Sequence, residues 1–304
     1  MPEEDEEEKK KRPKEGEPRR GHVFIAGGTA GVGAGLAEAM REQGYEVIDA
    51  GPEAPAWHLD LGEAATIKAC TNRAKALLRG KPLDMLVLNA AVWPSSHRVT
   101  YDGDEATFAV NHFGQAYLLD LMLPCLKRSA DPRVVIVSAL DAYGGVPQAT
   151  ARDWQMQLRQ DPPFLDYPVL SMPAMYNRYA DSKLCGVLFA QTLSKMHPWL
   201  SVTLAHPGPT FSTLIGGVTY HFVVEFFARV LFKSPTGAAQ TPLFCLLSDR
   251  KNLRSDVIYS EMSAMPLPWQ VTPAACKALW EATEAEIGSM HKRASLQVGD
   301  QREW

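Results

Sequence analysis

The fold of this chain is decided by the stretch Val23-Phe24-Ile25-Ala26-Gly27-Gly28-Thr29-Ala30-Gly31-Val32-Gly33. Its apolar start predicts a buried strand, and the glycines that follow open a helix-like segment. In a strand, turn and helix of this kind, backbone N–H groups at the helix N-terminus bind the pyrophosphate of a dinucleotide. Glycine is required because a Cβ would block the phosphates or force a strained positive φ. The stretch therefore predicts a dinucleotide-binding unit.

Apolar strand-like runs alternate with helical patterns from His22 onward. The strand candidates are residues 23–26, 46–48, 83–88, 133–137 and 201–205, with a later one at 257–259. Strands separated by helices of this length predict an α/β fold with a Rossmann-like, doubly wound parallel sheet covered on both faces. A chain of 304 residues, 46% of them hydrophobic, is most simply one extended domain.

The two ends of the chain differ from its middle. Residues 1–20 carry an acidic block and then a basic block, with three prolines and no aromatic residue. Such a segment cannot bury enough apolar surface to order itself, so it is predicted to be a disordered charged tail. The folded domain is expected over residues 21–290, and residues 291–304 are expected to form a C-terminal tail.

Composition limits the functional classes. A net charge of −4 gives no indication of a nucleic-acid-binding surface. The eight histidines do not have the spacing of metal ligands, so no metal is expected. The five cysteines are odd in number and widely spaced, which favours a reducing compartment over a disulfide framework or a zinc site. The sequence starts without an apolar signal segment and has no apolar run of ~18 residues. A soluble, cytoplasmic protein is expected.

A second signature lies past the middle of the chain, at Tyr179-Ala180-Asp181-Ser182-Lys183. Tyr179 and Lys183 are four residues apart and share one face of a predicted helix. A positive charge beside the phenol stabilises the phenolate, so the tyrosine pKa is expected to fall from about 10 toward neutrality. Tyrosine can then act as an acid or a base. Together with the glycine-rich stretch, this pair predicts hydride transfer.

Further segments match one family in order along the chain. They are Leu88 to Ala91, Val110 to Gly114, Arg133 to Ser138, Tyr179 to Cys185, His206 to Gly208 and Lys233 to Ala238. With these segments the sequence resembles the short-chain dehydrogenase/reductase superfamily from about Gly21 to about Gly288. The sequences of these segments are similar to those of the retinol-dehydrogenase and WW-domain-oxidoreductase-like branch of the superfamily.

The resemblance implies a bound NADP(H) or NAD(H). The cofactor-binding residues that it implies are Gly27, Thr29, Gly31, Val32, Gly33, Asp60, Leu61, Asn89, Ala90, Tyr179, Lys183, Pro207, Gly208 and Thr210. After the second strand, a carboxylate would favour NAD and an arginine would favour NADP. The family's selector positions fall here on Gly51 and Pro52, which are neither. Asp49 is an alternative if the strand ends early, so the choice of cofactor stays open.

The catalytic residues that the resemblance implies are Tyr179, Lys183, Asn111 and Ser138. Tyr179 would exchange a proton with the substrate, Lys183 would hold the nicotinamide ribose, and Asn111 would bend a helix and keep a water molecule. The register to Lys183 excludes Tyr176 as the catalytic phenol.

The substrate-orienting serine of the family is replaced by Ala139. Ser138 is adjacent but points to the opposite face of a strand. Either the backbone brings Ser138 round, or Asp141 or Tyr143 replaces the missing donor, or activity is weak.

Two segments bear on the substrate. About forty residues separate Ser138 from Tyr179, and this extended loop, with Trp154, is expected to form a flap over the substrate or a peripheral excursion. Residues 218–232 are apolar and rich in phenylalanine, which favours a hydrophobic carbonyl or alcohol substrate, with contact to a membrane surface as the alternative. A homodimer is left open.

The sequence therefore predicts an NAD(P)-dependent oxidoreductase. The alternative is a dinucleotide-binding sensor or scaffold of the same fold without turnover, because function belongs to the site and not to the fold.

Overall fold

The structure, a computed structural model, describes residues 21–93, 97–159, 168–208 and 234–300. Its strands are β1 (His22–Ala26), β2 (Glu46–Ala50), β3 (Met85–Leu88), β4 (Arg133–Val137), β5 (Ser201–His206), β6 (Val257–Ser260) and β7 (Ser263–Pro266). They form one sheet in the order β2-β1-β3-β4-β5-β6-β7. All neighbours run parallel except β6 and β7, which are antiparallel.

Helices cover both faces of this sheet. They are α1 (Gly31–Glu42), α2 (Ala64–Leu78), α3 (Ala106–Phe108), α4 (Gly114–Leu126), α5 (Ala151–Arg159), α6 (Pro168–Met196), α7 (Pro235–Leu247) and α8 (Pro273–Asp300). Alternate residues of β4 enter different cores: Val134 and Ile136 pack toward α2, α4, α6 and α8, and Val135 and Val137 pack toward α1 and α7. A parallel strand buried on both faces reads as a continuous apolar run. The predicted doubly wound α/β fold is confirmed.

The segment between β4 and α6 contains a helix that belongs to the core. Trp154 and Leu158 lie one turn apart on α5 and are fully buried, and the Trp154 ring packs edge-on against Phe108 with 6.2 Å between ring centroids. The backbone N–H of Glu105 donates to the Leu158 carbonyl at 2.8 Å. Residues 151–159 are therefore part of the packed body of the protein, because burial of this apolar face ties the helix to the core. A role of the segment in covering the substrate stays a prediction. Residues 160–167 lie outside the described part.

The last helix runs past the boundary predicted at residue 290. Ala294 is fully buried on α8, and the Arg293 guanidinium contacts Asp102 and Asp104 at 3.2 Å each and Glu286 at 2.7 Å. The predicted domain end therefore falls inside a packed helix. The charged tail 1–20, Thr210, the apolar segment 218–232 and residues 301–304 lie outside the described residues.

All five cysteines are buried as free thiols. Burial raises the pKa of Cys70 to about 11 and that of Cys245 to about 12. In the described part of the chain, no helix combines the length and the apolarity needed to cross a membrane.

Candidate active site

The glycine-rich turn packs directly on the end of β3. Gly27 has φ +78°, and a Cβ on it would lie 2.8 Å from the Ala90 Cα. A Cβ on Gly33 would lie 1.9 Å from the Gly27 carbonyl oxygen, to which the Asn89 side-chain amide donates at 2.8 Å. No side chain fits at either position without moving backbone. The turn is thereby held against the strand end where α/β proteins bind ligands.

The N-terminus of α1 faces outward from this turn. Ala30 is the N-cap and provides no capping side chain, and the first turn of the helix has no acidic residue. Thr29 and Ala30 are exposed. The first N–H groups of a helix have no partner within it and carry the positive end of the helix dipole. Gly31, Val32 and Gly33 therefore present donors that fit a dinucleotide pyrophosphate.

The packing of Thr29 explains why position 51, at the ribose end of the predicted cofactor site, is a glycine. A Cβ on Gly51 would lie 2.6 Å from the Thr29 hydroxyl oxygen, so Thr29 occupies the space of a selector side chain. Strand β2 continues to Ala50, and the Asp49 carboxylate pairs with the Arg41 guanidinium at 2.8 Å. Asp49 is expected to bind the ribose only if the strand ends early. Because the strand continues past Asp49, this condition is not met.

Two further loops belong to the predicted cofactor-binding set. One Asp60 carboxylate oxygen accepts the Gly62 N–H at 2.8 Å, which fixes this half-buried side chain. The Leu61 side chain is in the core, so only its backbone is available to a ligand. At the end of β5, Gly208 follows Pro207 with φ +86°.

Tyr179 and Lys183 come together on α6. The Lys183 ammonium nitrogen lies 5.6 Å from the Tyr179 ring centroid and donates to the Val137 carbonyl, at the end of β4, at 3.3 Å. Burial lowers the pKa of Lys183 to about 8. The pKa of Tyr179 is raised by burial first, and then by Asp141 and Tyr176. The spacing predicts a lowered tyrosine pKa, and the direction in the structure is the opposite, because burial, Asp141 and Tyr176 all disfavour the phenolate.

Asn111 connects the loop after β3 to α6. It lies in a π-helical turn, Ala109–Phe113, between α3 and α4. Its side-chain oxygen accepts the Val92 N–H at 2.7 Å, and its nitrogen donates to the Val92 carbonyl at 2.9 Å and to the Ser182 hydroxyl at 3.0 Å. Asn111 and Gln115 help to line a cavity of about 10 Å³, which has room for roughly one water molecule.

Comparison with known proteins identifies the family. The family model described as short chain dehydrogenase matches residues 21–151. Dehydrogenase/reductase SDR family member 13 of Homo sapiens is 33% identical over 241 residues, which are 76% of this chain and 58% of that protein. WW domain-containing oxidoreductase of Gallus gallus is 30% identical over 302 residues, which are 90% of this chain and 69% of that protein. The chain belongs to the short-chain dehydrogenase family.

The relatives confirm the predicted branch, since WW domain-containing oxidoreductase is among them. A solved structure shares the fold. The 3-alpha-hydroxysteroid dehydrogenase from Pseudomonas sp. B-0831, complexed with NADH, matches with a TM-score of 0.56 and 20% identity, over 77% of this chain and 92% of that chain.

The position of the family's serine is Ala139, which is buried and extended. The Ser138 hydroxyl is also buried and has no hydrogen-bond partner among the described residues. The Tyr143 hydroxyl donates to the Pro266 carbonyl, which excludes it as the replacement donor. Asp141, the other predicted alternative, is near enough for its charge to raise the pKa values of both Tyr179 and Lys183.

Trp93 is an aromatic residue of the site that the sequence motifs did not indicate. The Trp93 ring stacks on the Tyr179 ring, with 5.3 Å between centroids and 20° between planes, and its centroid lies 5.9 Å from that of Tyr176. Trp93 follows Val92, the residue that Asn111 holds. Its position just past a strand end was a usable signal, because ligands of open α/β sheets bind there.

Proposed function

We propose that the protein is an oxidoreductase that transfers a hydride between NAD(H) or NADP(H) and the carbonyl or alcohol group of a hydrophobic small molecule. The observation that carries the proposal is the Tyr179 and Lys183 pair at the carboxyl end of β4. The glycine turn follows β1 in the same parallel sheet, so both parts lie at the sheet edge that binds ligands.

The residues of the chain supply orientation and the proton. The nicotinamide, when bound, supplies or accepts the hydride. During carbonyl reduction, the Tyr179 hydroxyl donates its proton to the oxygen that gains negative charge. During alcohol oxidation, the Tyr179 phenolate accepts the hydroxyl proton. With a pKa of about 8, Lys183 is mostly a cation at neutral pH, and its charge favours the phenolate.

The surroundings of Tyr179 support a hydrophobic substrate. Trp93 and Tyr176 present aromatic rings beside the phenol, and such rings bury large apolar areas when they bind a ligand. The phenylalanine-rich segment 218–232 adds to this support at the level of sequence.

A specific observation favours the alternative of a dinucleotide-binding sensor. Ala139 stands where the family resemblance implies the substrate-orienting serine, so that hydroxyl is missing. Purified protein mixed with NADH or NADPH separates the two functions. Both functions predict cofactor binding, and only the oxidoreductase consumes reduced cofactor when aldehydes and ketones are added.

Tyr179→Phe is expected to lose most of the activity and keep its cofactor affinity. The ring still packs against Trp93, and only the hydroxyl that transfers the proton is removed. Acid or base catalysis contributes about 10²–10⁴ in rate, so kcat should fall by that factor. Tyr101→Phe is the matched control, since Tyr101 is 80% exposed. Turnover of Tyr179→Phe at the wild-type rate would contradict the assignment.

A further inference from the structure

Trp93 is held at the site by the backbone that precedes it. The Ala90 N–H donates to the Ala26 carbonyl, at the end of β1, at 2.9 Å. The Asn111 side chain accepts the Val92 N–H at 2.7 Å and donates to the Val92 carbonyl at 2.9 Å. The chain is therefore fastened to β1 and to the π-helical turn immediately before Trp93. A fixed backbone thus carries the indole into the site.

The Trp93 indole covers one face of the phenol ring of Tyr179. The two rings are stacked, with 5.3 Å between their centroids and 20° between their planes. Trp93 is half-buried, and Tyr179 is only 8% exposed. A substrate cannot approach the phenol from the face that the indole covers. Its carbonyl oxygen must therefore reach the Tyr179 hydroxyl beside the indole.

A second ring extends this aromatic surface. Tyr176 lies three residues before Tyr179 on α6, so the two phenols lie on one side of the helix. Tyr176 is 40% exposed, and its ring centroid lies 5.9 Å from that of Trp93, with 59° between the planes. Trp93 and Tyr176 thus present two steeply inclined ring surfaces next to the reacting phenol. We call this pair the aromatic corner.

The aromatic corner can distinguish two rings of equal size by their electronic structure. Aromatic rings attract each other in offset-stacked or edge-to-face pairs, because each ring has a negative face and a positive edge. A saturated ring with the same number of carbon atoms buries a similar apolar area and lacks this additional attraction. A ring bonded directly to the reacting carbonyl comes to lie next to the corner, because the oxygen must reach the hydroxyl that the indole flanks.

We propose that Trp93 is a specificity-determining residue of this site, and that the site prefers substrates whose carbonyl is bonded directly to an aromatic ring. This inference rests on the proposed function and names its substrate class. During reduction, the carbonyl carbon accepts the hydride of the reduced cofactor and the π electron pair of the carbonyl moves to oxygen. The oxygen takes the proton of Tyr179, which regains one from solvent. The products are a benzylic alcohol and the oxidised cofactor.

The first test compares kcat/KM for benzaldehyde and cyclohexanecarbaldehyde across variants, so that the intrinsic reactivities of the two aldehydes cancel. Trp93→Leu keeps an apolar side chain and removes the ring. It should lower the ratio of benzaldehyde to cyclohexanecarbaldehyde about three- to tenfold, mainly through the KM for benzaldehyde. Trp93→Phe should restore most of the ratio. An active Trp93→Leu variant with the wild-type ratio would overturn the proposal.

Trp199→Leu is the matched control for Trp93→Leu. Trp199 is also half-buried, and it precedes the amino end of β5, at the sheet edge opposite the site. Its replacement should leave the ratio of the two aldehydes unchanged. An equal fall of the ratio in both variants would mean that the effect does not come from the aromatic corner, which also overturns the proposal.

A binding measurement without turnover separates this proposal from the proposed function. Benzamide and cyclohexanecarboxamide carry the same two rings on an unreactive carbonyl, and titration calorimetry on protein saturated with NADH or NADPH measures their Kd. Wild type should bind benzamide about three- to tenfold more tightly, and Trp93→Leu should bind both amides equally. Equal or undetectable affinities in wild type, or an unchanged preference in folded Trp93→Leu, would refute the role of Trp93. A wild type that prefers benzamide and consumes no reduced cofactor with any carbonyl compound would refute the proposed function alone.

Discussion

Ala139 stands where the family resemblance implies the substrate-orienting serine. An added hydroxyl at this position would be aimed at the oxygen on which charge develops, and such a prearranged donor contributes ~3 kcal/mol to the transition state. We therefore expect Ala139→Ser to raise kcat by up to about a hundredfold, measured with the best carbonyl substrate.

Ser138→Ala is the matched comparison for Ala139→Ser. The Ser138 hydroxyl is buried and has no partner among the described residues, so its loss should leave kcat nearly unchanged. The opposite order, with a crippled Ser138→Ala and a neutral Ala139→Ser, would show that Ser138 itself holds the substrate.

Residue types with their own chemistry could be identified from the sequence, and their surroundings could not. Asn111, Tyr179 and Lys183 stand out because each belongs to an ordered motif. Trp93 reaches the site through a loop held by Asn111, and this contact does not follow from spacing. The direction of the Tyr179 pKa was wrong for the same reason, since the depth of burial is set by the whole fold.

At the scale of elements, the π-helical turn joins the loop after β3 to α6. Asn111 satisfies both backbone groups of Val92, so Asn111→Ala leaves a half-buried N–H and carbonyl without these partners. The free energy of unfolding should fall by about 1–3 kcal/mol, measured by chemical denaturation. Asn252→Ala, at an exposed asparagine, is the control and should change little. Equal stability of Asn111→Ala and wild type would refute this role for the turn.

Strands with a long apolar run were predictable, and the last strand was not. The candidates 133–137 and 201–205 match β4 and β5 within one residue. Strand β7 is short and mostly exposed, and its turn uses Glu261 and Met262 with φ +51° and +62°. Hairpin turns with positive φ usually contain glycine or asparagine, which makes them recognisable in a sequence, and this turn contains neither.

At the scale of the whole molecule, buried titratable groups set the response to acid. Burial lowers the pKa of His112 to about 3, whereas an unfolded histidine titrates near 6.5. The unfolded chain therefore takes up a proton that the folded protein does not, and stability falls as the pH drops from about 6.5 to about 3. Burial raises the pKa of both Asp104 and Asp181 to about 6, and these carboxyls act oppositely, stabilising the fold as the pH falls from about 6 toward 4.

His112→Phe should remove one of these opposing contributions. The stability difference between the variant and wild type should shift in favour of the variant by about 1.4 kcal/mol per pH unit below pH 6.5. Urea unfolding at a series of pH values measures it. The exposed His58, replaced by glutamine, is the control. A difference that is constant with pH would mean that His112 takes up its proton in the folded state as readily as in the unfolded chain.

Each face of the sheet contains at least one buried thiol, so alkylation of these thiols can report on the opening of each face separately. Cys70, Cys125, Cys185 and Cys276 lie in the core under α2, α4, α6 and α8, and Cys245 lies in the core under α1 and α7. Alkylating agents react with thiolates that they can reach, and burial suppresses both access and ionisation. The rate of alkylation therefore measures how often the native state opens around each thiol. A single rate for all five sites means that the two layers separate from the sheet together, and a distinct rate for Cys245 means that the layer of α1 and α7 leaves on its own.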